Sequence, residues 1–543
     1  MFMRALGATL AIGLGLTGIA VGAAGAADDQ SVIKLAIAIP IVVPSGDEAF
    51  LDAETLQQYT SEHGLLTQEL DAVYDKTVAL GIDPRIIASI RLLGGSAPAS
   101  AIAWLNRLES ASNQTFELAY ADADLTLQTQ GGSPTPLRPE GFEFAIDPQL
   151  FANSPATPTP LATGSAQEPS QPTLPGSEEI LAWKYSLTDI AWPRENSAIS
   201  GDLPAIAAGG YSTAILSSDN VSTDAAGAPT AQIDGLRVLV SNTSVSTALR
   251  SATNAILPAD WDSAMATLSG SVADAGSGAI FATLDRTLTA DGSSLANTIA
   301  ALTTNPTIQL VPLTQVLAVG PTSGSVIDQP QAADRLSRVG QMIQAESAER
   351  AFASVSSDPA AITSNRRLEL LALLSAEWHT DLADWPAAAD GFTTESIALR
   401  NAVHVVASSN FLLVADNDQY LPITVDNGLN QAATVYITVR SLSPLLAIDD
   451  SRVRLDIDAG AQAKANIPVH SLSNGVVDVT VTLTSGTGVE IGAPISSEVN
   501  VQAGWETPIV IAIAILVVIV FGAGIVRTIL RRRGMSRREA DSD

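Results

Sequence analysis

Residues 508–526, PIVIAIAILVVIVFGAGIV, contain no charge and no strongly polar group. At about 1.5 Å of rise per residue, a helix of this length nearly matches the ~30 Å hydrocarbon core of a bilayer. A core helix of a water-soluble protein usually keeps a polar stripe, and this run has none. Six arginines follow: Arg527, Arg531, Arg532, Arg533, Arg537 and Arg538. Trp505 stands just before the run, where an indole rests at the headgroups. Clustered arginine marks the cytoplasmic flank of a span. The expectation is one transmembrane helix at 507–526, a basic cytoplasmic tail at 527–543, and all earlier residues on the far side.

The opposite end of the chain agrees. Arg4 precedes an apolar run, and Ala24-Gly25-Ala26 offers small residues for cleavage, the pattern of a secretory signal peptide at 1–26. This run contains Gly13, Gly15 and Gly18 in GxGxxG spacing, but it opens no strand–turn–helix unit, so no dinucleotide site is expected. The chain has no cysteine, which excludes a lipid-modified cysteine anchor, disulfides and thiol catalysis.

Formal net charge is −29, and the basic tail makes the remainder more acidic still. Such a surface repels nucleic acid and anionic lipid. With 46% hydrophobic residues in 543, the chain can build two or three packed domains.

Residues 31–325 alternate apolar extended runs with helical runs. KLAIAIPIVV at 34–43 is a strand apolar on both faces, and residues 65–80 read as a helix. Further strands are expected at 115–120, 142–146, 189–192, 213–216, 237–240, 279–284 and 308–313. Doubly buried strands separated by helices indicate a parallel sheet, and their number fits a closed or nearly closed (β/α) barrel. Residues 153–177 are rich in Pro, Ser and Thr without apolar period, and read as a loop inserted in this domain.

Chemistry in such a barrel gathers where strands end. Asp83, in Gly81-Ile82-Asp83-Pro84, is read as the end of a second strand; Asp122 and Asp124 follow the third, at 115–120, and Asp147 ends the fourth; Trp192-Pro193-Arg194-Glu195 ends the fifth, and Ser217-Ser218-Asp219-Asn220 the sixth. Carboxylates facing one another across a mouth suit glycoside hydrolysis, one protonating the leaving oxygen and one attacking or activating water. Asp83, Asp122 and Asp124 are the catalytic candidates, and Tyr120 and Trp192 the aromatic candidates for contact with a sugar ring. The competing reading is that Asp-Pro pairs merely cap helices. The four histidines are scattered, and neither HExxH, GxSxG nor a phosphate loop occurs, so no metal site and no cofactor are expected.

Residues 330–400 show helical periodicity, with Leu368, Leu371, Leu374 and Trp378 on one face. From 401 to 503 the period becomes two, with turn signals at Asn427-Gly428 and Asn474-Gly475. About seven short strands there argue an immunoglobulin-like β-sandwich without a disulfide.

Several stretches in this order resemble the actinobacterial DUF6049 family of membrane-anchored extracytoplasmic proteins. They are AIAIPIVVP at 36–44, AWLNRL at 103–108, AYADAD at 119–124, IAWP at 190–193 and ILSSDN at 215–220, with the β-domain and the anchor completing the pattern. The resemblance implies no established activity. Members are often encoded beside the lipid II flippase, which implies cell-envelope work. The barrel is also similar to those of polysaccharide deacetylases and some glycosidases, but the metal-binding His-xxx-His of the deacetylases has no counterpart here.

The expected protein is a non-catalytic envelope factor that binds peptidoglycan or wall-assembly membrane proteins, with a glycan-active hydrolase as the alternative. Its topology has a direct check. Protease added to wall-stripped cells should digest the bulk of the chain; protection of the bulk with loss of the tail would reverse the orientation.

Overall fold

The computed structural model describes residues 32–151, 174–276, 278–286, 292–379, 383–406, 411–414, 420–449, 452–502 and 506–536. The expected signal peptide, most of the Pro/Ser/Thr-rich segment, Trp505, Arg537 and Arg538 lie outside them.

Eleven strands lie in the first part among the described residues. They are β1 (Ile33–Ile41), β2 (Ala79–Ile82), β3 (Gln114–Glu117), β4 (Ile190–Ala191), β5 (Thr213–Ser217), β6 (Val221–Thr223), β7 (Thr230–Ile233), β8 (Leu236–Ser241), β9 (Ala279–Thr283), β10 (Ile308–Leu310) and β11 (Thr322–Val326). One sheet runs β10-β1-β2-β3 with β9 also on β1, and all its ladders are parallel. Ala38 pairs with both Ala79 and Thr283, so β1 is flanked on both sides. The second sheet runs β4-β5-β8-β7-β11-β6, with β4, β5 and β8 parallel. The sheets approach at both edges. Ser186 and Leu187 N–H, ahead of β4, donate to Thr115 O of β3 at 3.1 and 3.0 Å, and Asn242 N–H, after β8, donates to Phe281 O of β9 at 2.8 Å.

β1 shows why these residues make a doubly buried strand. Leu35, Ile37, Ile39 and Ile41 face a layer of helices, while Ala36, Ala38 and Val42 face the interior with Phe116, Trp192 and Phe281. The strand alternates large and small rather than apolar and polar, because both faces are dry. Each buried Leu or Ile contributes about 1.5–3 kcal/mol. Gly81 follows the same logic on β2: a Cβ there would sit 3.0 Å from the Phe116 ring.

Two expectations need correction. The helix expected over 65–80 ends at Val73; Asp75 turns left-handed at φ 55°, and the chain re-enters the sheet as β2. Residues 142–146 are not a strand but contain a 3-10 turn, Glu143–Ala145. Glu143 folds back so that Oε2 accepts from Phe142 N–H at 3.0 Å and Oε1 from Ser177 Oγ at 2.7 Å. These local bonds replace a ladder. Asp147 accordingly ends no strand, and its Oδ1 accepts from Gln149 N–H at 2.9 Å. The fourth strand is β4, which places Trp192 directly after it.

Helices Ala333–Phe352, Pro359–Leu373 and Trp385–Arg400 follow. Their apolar faces share a core with Tyr120, Ala123, Leu127 and Phe142, so this region packs on the loops after β3. Asp124 N–H donates to Leu374 O at 2.8 Å. Arg366 ties the three helices together through Glu349 and Glu395, each at 3.1 Å.

The next part is an antiparallel two-sheet sandwich. Its strands are β12 (Val403–Val405), β13 (Phe411–Val414), β14 (Tyr420–Asn427), β15 (Ala433–Ser441), β16 (Leu446–Ile448), β17 (Val453–Ile457), β18 (Gln462–Ser471), β19 (Gly475–Thr484) and β20 (Glu490–Gln502). The sheets are β12-β14-β18-β16 and β13-β20-β19-β15-β17, with only the β13–β20 ladder parallel. Alternate residues point inward: Leu421, Ile423 and Val425 on β14 meet Val477, Val479 and Val481 on β19 within one core. Sequence reading passed over β16 and β20. In β20, Gly492 (φ 65°) and Pro494 obscure the alternation.

The last helix, Glu506–Ser536, is exposed over Ile509–Arg532, and its most apolar 18 residues have a mean hydropathy of 3.3. It is long and apolar enough to cross a bilayer.

Candidate functional site

The C-terminal ends of β4, β5, β8 and β9 enclose a cavity of about 330 Å³. Trp192 to Asn196 line it after β4, Ile215 to Ser217 at the end of β5, Ser241 at the end of β8, and Thr283 to Arg286 after β9. Arg250 reaches in from helix Thr243–Thr253, and Ala376 closes it from the helical region. Three of its fifteen lining residues are arginines and two, Glu195 and Asp285, are acids, whereas the whole chain has 28 Lys and Arg against 57 Asp and Glu, so the cavity is less acidic than the chain around it.

Arg286 forms the floor. Its Nε donates to Asp122 Oδ2 at 2.9 Å, and its Nη2 to Asp122 Oδ1 at 3.3 Å and to Trp192 O at 2.6 Å. The guanidinium carbon lies 4.7 Å from the Trp192 ring centroid. Burial pulls the guanidinium down, and the Asp122 carboxylate more than offsets this, so Arg286 stays charged. Burial pushes the Asp122 carboxyl up, and Arg286 opposes it.

The backbone that presents Asp122 is strained. Ala121 and Asp122 both lie in the left-handed region, at φ 57° and 49°, a conformation uncommon for residues with a Cβ. Asp83 holds it there: its Oδ1 accepts from Ala121 N–H and from Arg85 N–H, each at 2.8 Å. Asp83 is thus both the N-cap of helix Pro84–Leu92 and the brace under Asp122. Burial, opposed by those two backbone bonds, pushes its carboxyl up to about 7.

Asp124 is the N-cap of helix Leu125–Gln130 and accepts from Thr126 N–H at 3.1 Å. Its remaining acceptor capacity goes to Thr126 Oγ1 at 2.9 Å, Gln331 Nε2 at 2.8 Å and Arg194 N–H at 3.3 Å. Tyr120 is buried and donates its hydroxyl to Ala49 O at 2.8 Å, away from the cavity. Of the five residues singled out from sequence, Trp192 alone lines the cavity, and Asp122 reaches it through Arg286.

Sequence reading missed Arg250, Asn196 and Arg286. Arg250 pairs with Glu195 and donates to Thr283 Oγ1 at 3.2 Å. Ser217 Oγ bonds Asn196 Oδ1. Arg194 donates to Gln331 Oε1 at 3.4 Å. Behind it Arg335 is buried against the Trp385 ring, with no hydrogen-bond partner on its guanidinium among the described residues. The one available signal was an arginine directly beyond an apolar strand, Leu284-Asp285-Arg286, in an acidic chain. Among the described residues no group of three or more His, Cys, Asp and Glu has metal-binding geometry.

A family model described as a family of unknown function, DUF6049, matches residues 16–536. No curated protein matches the chain. Trypsin-activated alpha-2-macroglobulin from Escherichia coli is similar at 17% identity, over 19% of this chain and 7% of its own, with a TM-score of 0.16. WR4, an MSP family member of C. elegans, is similar at 8% identity over 19% of this chain and 99% of its own, at a TM-score of 0.14. A FixG-related protein from Vibrio parahaemolyticus is similar at 13% identity over 19% and 94%, also at 0.14. The chain thus spans under a fifth of the alpha-2-macroglobulin structures it matches.

Two outcomes follow from this geometry. Arg286→Met strands the Asp122 charge in the interior and should destabilise the protein by about 3–5 kcal/mol. Asp122→Asn combined with Arg286→Met should cost less than the sum of the single changes in denaturant titration; strict additivity would show the two groups to be uncoupled.

Asp83 carries a pH dependence. Its folded value of about 7 lies above the ordinary 3.8, so between those limits the unfolded chain binds fewer protons. Its contribution to stability is therefore fully present below about pH 4 and is lost as pH rises to about 7. Asp83→Asn keeps an Oδ1 for both backbone donors and removes the charge. Unfolding measured across this range should show a flatter pH slope in the variant; equal slopes would remove Asp83 from the account.

Proposed function

The chain belongs to the DUF6049 family, and from that premise we propose that it is a membrane-anchored extracytoplasmic binding protein of the cell envelope. In this reading the parallel sheet and the mixed sheet form an open (β/α) barrel, the sandwich is an immunoglobulin-like spacer, and helix Glu506–Ser536 is the anchor. The barrel mouth takes a polar ligand bearing an acidic group, such as a peptidoglycan fragment.

The observation that carries this reading is the cavity with Arg194, Arg250 and Arg286 around it in a chain of net charge −29. Guanidiniums that are partly desolvated and already oriented by Glu195 and Asp122 present fixed donors to a carboxylate or phosphate. The Trp192 ring supplies an apolar face beside them. Hydroxyls and an amide at Ser217, Ser241, Thr283 and Asn196 suit sugar hydroxyls.

A hydrolase using Asp83, Asp122 and Asp124 is the weaker reading. Asp83 and Asp124 use their oxygens as helix caps, and Asp122 is bound to Arg286. General acid–base work needs a carboxyl within reach of a substrate proton, and all three are buried.

The test is calorimetric titration of full-length protein in nanodiscs with soluble wall fragments. Arg250→Met removes one charge-assisted donor and should weaken binding about 10–100-fold. Absence of binding near about 1 mM would overturn the proposal. Release of cleaved glycan, abolished by Asp122→Asn, would replace it with the enzymatic reading.

A further inference from the structure

Among the described residues the sandwich exposes four large hydrophobic side chains: Tyr420 (50%), Leu442 (85%), Leu472 (56%) and Val476 (62%). All four belong to the same end of the sandwich. Leu472 leads the turn between β18 and β19, and Val476 opens β19. Leu442 lies in the turn between β15 and β16, and Leu472 N–H donates to Leu445 O of that turn at 2.8 Å. Tyr420 begins β14 opposite Pro468, near the end of β18.

Register identifies which end this is. Gly475 pairs with Val501 and Val476 with Asn500, so β20 runs out of the sheet beside these residues. β20 ends at Gln502 and the apolar helix begins at Glu506. Four chain steps reach at most about 14 Å. The leucine-bearing turns therefore face whatever surface the helix enters.

Composition points the same way. Residues 441–448, SLSPLLAI, and 471–477, SLSNGVV, carry no charge, although the chain has 57 acidic residues. On the other sheet His470 and Asp449 pair at 2.9 Å, with Asp449 N–H on Pro468 O; moving back along the β19–β20 ladder, the first charged pair is Asp478 opposite Glu498. It stands three residues above the Gly475–Val501 level, roughly 10 Å. A tip that enters a headgroup layer by about 5–10 Å would keep those carboxylates in water. The connection from β13 to β14 at 415–419, with Asp416 and Asp418, lies outside the described residues.

We infer that this end of the sandwich docks on the bilayer that the chain's own helix spans, with Leu472 and Val476 entering the headgroup–acyl boundary and Leu442 and Tyr420 flanking them. The inference rests on the anchor reading. Docking holds the sandwich upright on the membrane and sets the height of the barrel mouth above it.

Because the native chain has no cysteine, single-site labelling is clean. Leu472→Cys, Ala459→Cys in the turn at the opposite end, and Ala512→Cys in the span would each carry an environment-sensitive dye on full-length protein in liposomes. Lipids bearing a quencher at headgroup and acyl depths complete the assay. The dye at 472 should be quenched several-fold more strongly than that at 459 and be blue-shifted, and Val476→Asp should reduce its quenching. Equal weak quenching at 472 and 459 with strong quenching at 512 would overturn the docking while leaving the anchor intact. Absence of quenching at 512 would overturn the anchor, and the docking with it.

Discussion

A carboxylate and a guanidinium 164 residues apart in the chain meet in the interior, and the mouth of the first domain is built on that meeting. Asp122 follows β3, at the edge of one parallel sheet; Arg286 follows β9, on the other side of β1; and Trp192 O, the third member, follows β4 in the second sheet. The sheets share few backbone bonds, so this polar triad fastens their C-terminal ends. Burying two charges is costly, and the Coulombic gain roughly repays it only when the geometry is bidentate and the spare donors are satisfied. Both conditions hold here. Such a pair adds little net stability against an apolar alternative but strongly penalises any arrangement that separates its members.

That constraint explains the local strain. Asp122 meets Arg286 as the second of two successive left-handed residues, and the Asp83 side chain holds the first, Ala121, in place. Left-handed backbone in residues with a Cβ persists only where surrounding bonds over-determine it. Asp83 and Asp124 cap helices, and Asp122 binds a guanidinium. What lines the cavity is three arginines, Arg194, Arg250 and Arg286, with two acids, Glu195, which pairs with Arg250, and Asp285. A mouth of this kind is suited to holding an acidic ligand.

Charge is distributed along the chain by the same economy. The surface is acidic, the cavity is rich in arginine, one end of the sandwich is neutral and apolar, and arginines follow the span. Acidic surface favours solubility and repels neighbouring anions. Neutral surface at the end nearest the apolar helix removes the penalty for approaching lipid. The three helices between the domains pack on the loops after β3, so what happens at the mouth is mechanically close to what holds the sandwich.

Local sequence was enough wherever local physics decides the outcome. An uninterrupted apolar run is a span candidate at any position, and alternating large and small apolar residues in residues 35–42 make a doubly buried strand whatever its neighbours. The period of two from residue 420 onward made most of the sandwich legible, and it failed at β20, where Gly492 and Pro494 break the alternation. Residues 142–146 failed because Glu143 bonds its own backbone and Ser177, a competition invisible to periodicity. The candidate site was half legible. Asp83, Asp122, Asp124 and Trp192 were found because acids and aromatics after strands are conspicuous. Their roles were not, since whether a carboxylate caps, pairs or faces solvent depends on partners such as Ala121 N–H and Arg286, 38 and 164 residues away. Sequence by itself determined most of the elements, the apolar helix and the acidic character of this protein. Only the tertiary structure decided which charges neutralise one another, because burial and pairing are set by which distant strands end side by side.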